Sequence, residues 1–166
     1  METKRCCLII IIGLIPFIGI SQTYDEKLQS LYEHTVPTLA CSELSQMMES
    51  GKQILLLDTR TPEEYKVSHL PGAVLVDYDH FDSNKFVGLD KKTEVVVYCT
   101  VGYRSERIGE KLQKLGFTDV RNLYGGIFQW ANEGGVLVNQ KNISTDSVHT
   151  YSKKWAVWLT RGVKVN

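Results

Sequence analysis

The chain is poor in cysteine and proline, and it has no excess of either charge. Of its four cysteines, Cys6 and Cys7 crowd the first residues, which leaves Cys41 and Cys99 for the rest. Two cysteines do not make a disulfide framework. Stability must come from a hydrophobic core, and 166 residues are enough to bury one. The 19 basic residues are matched by 19 acidic ones, which excludes a global attraction to nucleic acid or to an anionic surface. No internal repeat and no low-complexity tract occurs. No metal and no cofactor is expected.

A long hydrophobic run is also missing. The one candidate is "CCLIIIIGLIPFIGI" (6–20), interrupted by Gly13 and Pro16. It falls short of the ~18 residues of a membrane span. Lys4 and Arg5 precede it, and Gly19 and Ser21 give a small-x-small site before Gln22. This is the pattern of a cleaved export signal over 1–21, so the protein is expected to be periplasmic or secreted. The alternative is an uncleaved segment retained as a membrane anchor. Cleavage would remove Cys6 and Cys7.

What is present is an alternation of strand and helix signals. "DEKLQSLYEH" (25–34) reads as a short lead-in helix with Leu28, Leu31 and Tyr32 on one side. "VPTLA" is extended, and "SELSQMMESG" is a helix stopped by Gly51. "QILLLD" and "EVVVYC" are unbroken apolar strands of the kind buried on both faces of a parallel sheet. Thr61, Pro62 and Glu64 spell a capping box with proline at the first helical position. "HLPGA" makes a turn before a strand "AVLV". "RIGEKLQKLG" is a helix with Ile108, Leu112 and Leu115 as its stripe, "DVRNL" a short strand and "GGIFQWANEGG" a further helix. The class is α/β, with a mostly parallel central sheet flanked by helices on both faces.

Ligands bind such sheets beyond the carboxyl ends of the strands, and Cys99 stands at such an end. The segment "CTVGYRS" (99–105) turns from strand to helix. Several successive amides can converge in a turn of this kind, and the helix start adds its dipole. Gly102 permits a left-handed or crowded backbone, and Arg104 adds a forked cation suited to oxyanions. A cysteine in this setting is expected to be a thiolate near neutrality. A free cysteine that merely fills space at a strand end is the alternative. Cys99 is the catalytic candidate, and Thr100, Val101, Gly102, Tyr103, Arg104 and Ser105 are the substrate-binding candidates.

"DTRTPEEYKVSHLPGA", "VVVYCTVGYRS" and "LYGGIFQW", in that order and spacing, resemble the single-domain rhodanese family of sulfurtransferases from about Pro37 to about Val138. The resemblance implies that Cys99 takes a sulfane sulfur from thiosulfate or a related donor. The persulfide would then pass it to a thiol or to cyanide. The loop from Cys99 to Arg104 has the short six-residue length of the sulfurtransferases, where related phosphatases carry one residue more. Ser68 stands before His69 where the family usually has glycine. The expected domains are a signal (1–21), a lead-in helix (22–36), the rhodanese-like domain (37–140) and a C-terminal extension (141–166).

Asp58 and Arg60 are supporting candidates, expected to brace the loop through an ion pair. His69 is expected to serve the turn through hydrogen bonds. The Asn142–Ser144 sequon matters only where the source glycosylates such sites. The tail "YSKKWAVWLTRGVKVN" has two tryptophans, four basic residues and no acid. Trp155 and Trp158 are expected to pack back on the domain, with a partner or membrane-surface contact as the alternative. The expected partners are a small anionic sulfur donor and a thiol or cyanide acceptor, with no nucleic acid. Two other functions compete: a rhodanese-fold binding module without turnover, and a cysteine-based phosphatase or arsenate reductase.

Overall fold

The computed structural model describes residues 22–166; the expected export signal lies outside the described residues. Five parallel strands form the central sheet: β1 (Thr38–Leu39), β2 (Ile54–Asp58), β3 (Val74–Leu75), β4 (Glu94–Tyr98) and β5 (Asp119–Leu123). They lie in the order β1-β5-β4-β2-β3, with β4 in the middle. Leu56 pairs with Val96 and Leu57 with Val97, and on the other side Val95 pairs with Val120.

The unbroken apolar runs are explained by burial on two sides. Val96, Tyr98 and Leu56 point into one core cluster, and Val95, Val97 and Leu57 point into another. The first is covered by α1 (Tyr24–Gln29), α2 (Cys41–Glu49) and α5 (Gly126–Asn132), through Leu28, Leu44, Ile127 and Phe128. The second is covered by α4 (Tyr103–Lys114), through Ile108 and Leu112. The helical stripe read in "RIGEKLQKLG" is therefore a core face.

Helix α3 (Pro62–Val67) follows β2 and carries the expected capping box: the Thr61 hydroxyl accepts from the Glu64 amide, and the Glu64 carboxylate accepts from the Thr61 amide. Two expectations are shortened. The lead-in helix ends at Gln29 rather than continuing to 34: turn bonds to Leu28 carry the chain only as far as Tyr32, whose hydroxyl reaches the loop at Val101, and His34 at φ of 55° cannot continue a right-handed helix. The strand "AVLV" keeps only two paired residues, as befits the sheet edge. The C-terminal stretch is not loose. It adds β6 (Leu137–Val138), β7 (Ser144–Thr145), β8 (Ser147–His149), α6 (Lys153–Ala156) and β9 (Val163–Val165). Strand β8 pairs with β9 in parallel, and Val148 and Leu159 are buried in the first core cluster. Among the described residues, no helix is long and apolar enough to cross a membrane.

Candidate active site

Strand β4 delivers Cys99 to the middle of the sheet's carboxyl edge, where the loop 99–102 turns into α4. Gly102 stands before the first turn with φ of 101°, the left-handed geometry anticipated from its sequence context. A side chain there would also collide with the Tyr32 hydroxyl.

What makes the loop a cradle is the direction of its carbonyls. The Cys99 carbonyl accepts from the Ile127 amide at 2.9 Å, and the Thr100 carbonyl from the Phe128 amide at 3.2 Å. The Val101 carbonyl accepts from the Tyr32 hydroxyl at 2.7 Å, and that hydroxyl accepts from the Gly125 amide at 2.9 Å. The Gly102 carbonyl is taken by Asn122 Nδ2 at 2.9 Å and by the Glu106 amide at 3.1 Å. All four carbonyls are thus tied to the scaffold. The amides are left for the site: the Gly102 amide donates to Cys99 Sγ at 3.1 Å. Among the described residues, the amides of Val101, Tyr103, Arg104 and Ser105 have no acceptor. Gly126 makes the α5 contacts possible, since a Cβ there would strike the Cys99 carbonyl.

Arg104 extends along the rim, and its partner was not foreseen. Its guanidinium grips Glu64 in a bidentate pair, at 2.8 Å to Oε2 and 2.7 Å to Oε1, and donates to the Thr100 hydroxyl at 2.9 Å. That hydroxyl donates in turn to Glu64 Oε1 at 3.0 Å. Burial alone would raise the Glu64 carboxyl, but the hydrogen bonds and charge of Arg104, helped by the Thr61 amide and Arg60, bring it down to about 2. Glu64 therefore caps α3 and anchors the loop arginine at once. The capping motif concealed the second role.

The other candidates divide clearly. Cys99, Thr100, Val101, Tyr103 and Arg104 line a cavity of about 450 Å³, to which Val101 and Tyr103 give apolar surface. Ser105 does not line it; its buried hydroxyl donates to Asn122 Oδ1 at 2.7 Å. Gly102 contributes backbone alone. Asp58 and Arg60 form the expected ion pair at 2.7 Å, fully buried, with Arg60 also donating to the Ser68 carbonyl. They brace the strand end against the following turn and do not line the cavity. His69 stacks on Tyr65, and its Nδ1 lies 3.0 Å from the Tyr65 carbonyl, a turn contact of the expected kind. Cys41 and Cys99 are both free thiols. Cys41 opens α2 and does not line this cavity, and burial, reinforced by the Glu133 charge, pushes its thiol up to about 12. The tail tryptophans pack back as expected: Trp158 stacks on Tyr24 with ring centroids 5.4 Å apart, and Trp155 packs against the core.

A strand–loop–helix cysteine cradle at the centre of a parallel sheet defines a class of cysteine-centred, anion-holding domain, and comparison gives its family. The Rhodanese-like domain family matches residues 40–133, more than half of the chain. The chain belongs to the rhodanese-like family. It is 35% identical over 91 residues to a sulfurtransferase of Allochromatium vinosum, covering 55% of this chain and 84% of that one. It is 33% identical over 97 residues to a probable adenylyltransferase/sulfurtransferase of Mycobacterium tuberculosis, covering 58% of this chain but only 25% of that protein. The solved structure of a thiosulfate sulfurtransferase from Pseudomonas aeruginosa superposes with a TM-score of 0.56 at 25% identity, over 64% of this chain and 21% of that one. Sulfur transfer is the general chemistry these relatives support.

Proposed function

We propose that the protein is an exported sulfurtransferase that carries a sulfane sulfur on Cys99 between thiosulfate, or a related anionic donor, and a thiophilic acceptor. The observation that carries the reading is the loop's polarity: four carbonyls tied outward, with the Gly102 amide 3.1 Å from Sγ. The Cys99 thiolate attacks the sulfane sulfur of the donor and forms a new S–S bond. The donor's own S–S bond breaks, and its electron pair leaves on sulfite. The terminal sulfur of the persulfide then sits where the loop amides can hold its negative charge. An acceptor nucleophile takes that sulfur and returns the electron pair to Cys99. The six-residue loop and the sulfurtransferase relatives favour this over phosphoryl chemistry.

Intact mass after incubation with thiosulfate tests the reading. The protein should gain one sulfur atom, and cyanide should remove it. No gain from thiosulfate, polysulfide or a persulfide donor would leave a non-turnover binding module as the better description. Export rests on residues 1–21 alone: mature protein from the host should begin near Gln22, and a cytosolic chain retaining Met1 would overturn that part.

A further inference from the structure

The cavity above Cys99 is larger than its chemistry requires, and its outer wall comes from outside the family domain. Rhodanese-like similarity ends at residue 133. Yet Tyr151 and Trp155 line the cavity, facing Leu31 from the opposite end of the chain and Tyr78 from the sheet edge. At about 450 Å³ it falls in the range that holds organic ligands, roughly 300–1,000 Å³.

This wall is built into the fold. The β8–β9 pairing and the buried Val148 and Leu159 fix the extension to the body. Trp155 lies under Lys27 of α1, and its neighbour Trp158 stacks on Tyr24. Tyr151 adopts φ of 60°, an unfavourable geometry for tyrosine, and its ring stands 5.2 Å from the Arg104 guanidinium. The charge at the mouth is correspondingly low. Glu64 pairs with Arg104, and the other charged side chain of the lining is Asp79.

We propose that the acceptor is an organic thiol with an aromatic-sized apolar body and little negative charge, and that Tyr151 and Trp155 select it. This rests on the persulfide reading of Cys99. The acceptor thiolate forms a bond to the terminal sulfur of the persulfide, and the Cys99 S–S bond breaks with its electron pair remaining on Cys99. The terminal sulfur leaves on the acceptor as an organic persulfide, keeping whatever proton it carried. No external oxidant or reductant is needed.

Two measurements test it. Protein loaded with sulfur from thiosulfate is discharged with benzyl mercaptan, mercaptosuccinate or cyanide. Benzyl mercaptan should outpace mercaptosuccinate, and Trp155→Ala and Tyr151→Ala should each lower the benzyl mercaptan to cyanide rate ratio on the order of tenfold. Separately, N-benzyl iodoacetamide should alkylate Cys99 of the unloaded Cys41→Ser protein faster than iodoacetamide does, and Trp155→Ala should erase that advantage. Successful loading with no preference in either assay would overturn the proposal and leave the sulfurtransferase reading intact. Failure to load, with a benzyl preference that depends on Trp155, would overturn the sulfurtransferase reading and support the site's ligand class.

Discussion

Cys41 and Cys99 look alike by the usual descriptors. Both are free, both are buried, and each stands at or just before a helix start. Their surroundings differ. Cys41 has the Glu133 carboxylate as its charged neighbour, and burial and that charge keep its thiol protonated. Cys99 has an amide on its sulfur, Arg104 at the rim and a cavity in front. Burial and a helix start do not make a reactive cysteine. What matters is which backbone groups face the sulfur, and which charges stand behind them.

The hardest test of that contrast is all-or-none. Cys99→Ser should abolish sulfur uptake from thiosulfate by intact mass, whereas Cys41→Ser should retain it in full. An adduct that followed Cys41 would reverse the assignment. Next comes the ionic anchor, which the Cys41 side does not have. The folded-state pKa of Glu64 is depressed, from 4.5 to about 2. Its contribution is therefore complete above pH ~4.5 and lost as pH falls towards ~2, and it amounts to roughly 3 kcal/mol. Acid unfolding of the wild type should be steeper over that window than that of Glu64→Gln, measured by denaturant titration at fixed pH.

Removing the arginine without leaving a buried carboxylate unpaired gives the third test. The Arg104→Ala/Glu64→Gln double variant should lose about one to two decades in thiosulfate efficiency, equivalent to about 1.5–3 kcal/mol for a charge-assisted contact. Unchanged kinetics would restrict Arg104 to a bracing role. The smallest effect lies on the quiet side. Glu133→Gln removes the lesser cause of Cys41's raised thiol, so Cys41 alkylation at pH 8 should quicken by less than about tenfold, one pKa unit. A larger change would mean that charge, rather than burial, keeps Cys41 inert.

Much of this was legible in the sequence wherever cause and effect lie close together along the chain. The runs at 54–58 and 94–98 announced strands buried on two faces, and "CTVGYRS" announced a strand–turn–helix seam with its left-handed glycine. Asp58 and Arg60, two residues apart, form the ion pair expected of them. Relations over long distances stayed hidden. Tyr32 looked like one more apolar residue of a lead-in helix, because nothing local shows that its hydroxyl meets Val101, 69 residues later. Glu64 had a sufficient local explanation as a cap, yet a carboxylate accepts several hydrogen bonds and its spare capacity went to Arg104 and Thr100. Trp155 and Trp158 were read correctly as packing back, but the short-range pattern could not say that Trp155, together with Tyr151, lines the cavity at the cysteine.

The outward carbonyls have a consequence for when the cysteine becomes competent. Their partners come from Tyr32, Asn122 and the first residues of α5, so the cradle closes only after segments from both sides of the loop have docked. Long-range closures of this kind come late, once the intervening chain has been ordered. A nascent or half-folded chain holds residues 99–105 as an ordinary flexible peptide whose amides point in no common direction. On the proposed reading, the ability to carry sulfur would be a signature of completed folding, since the cradle exists only once the molecule around the thiol is finished.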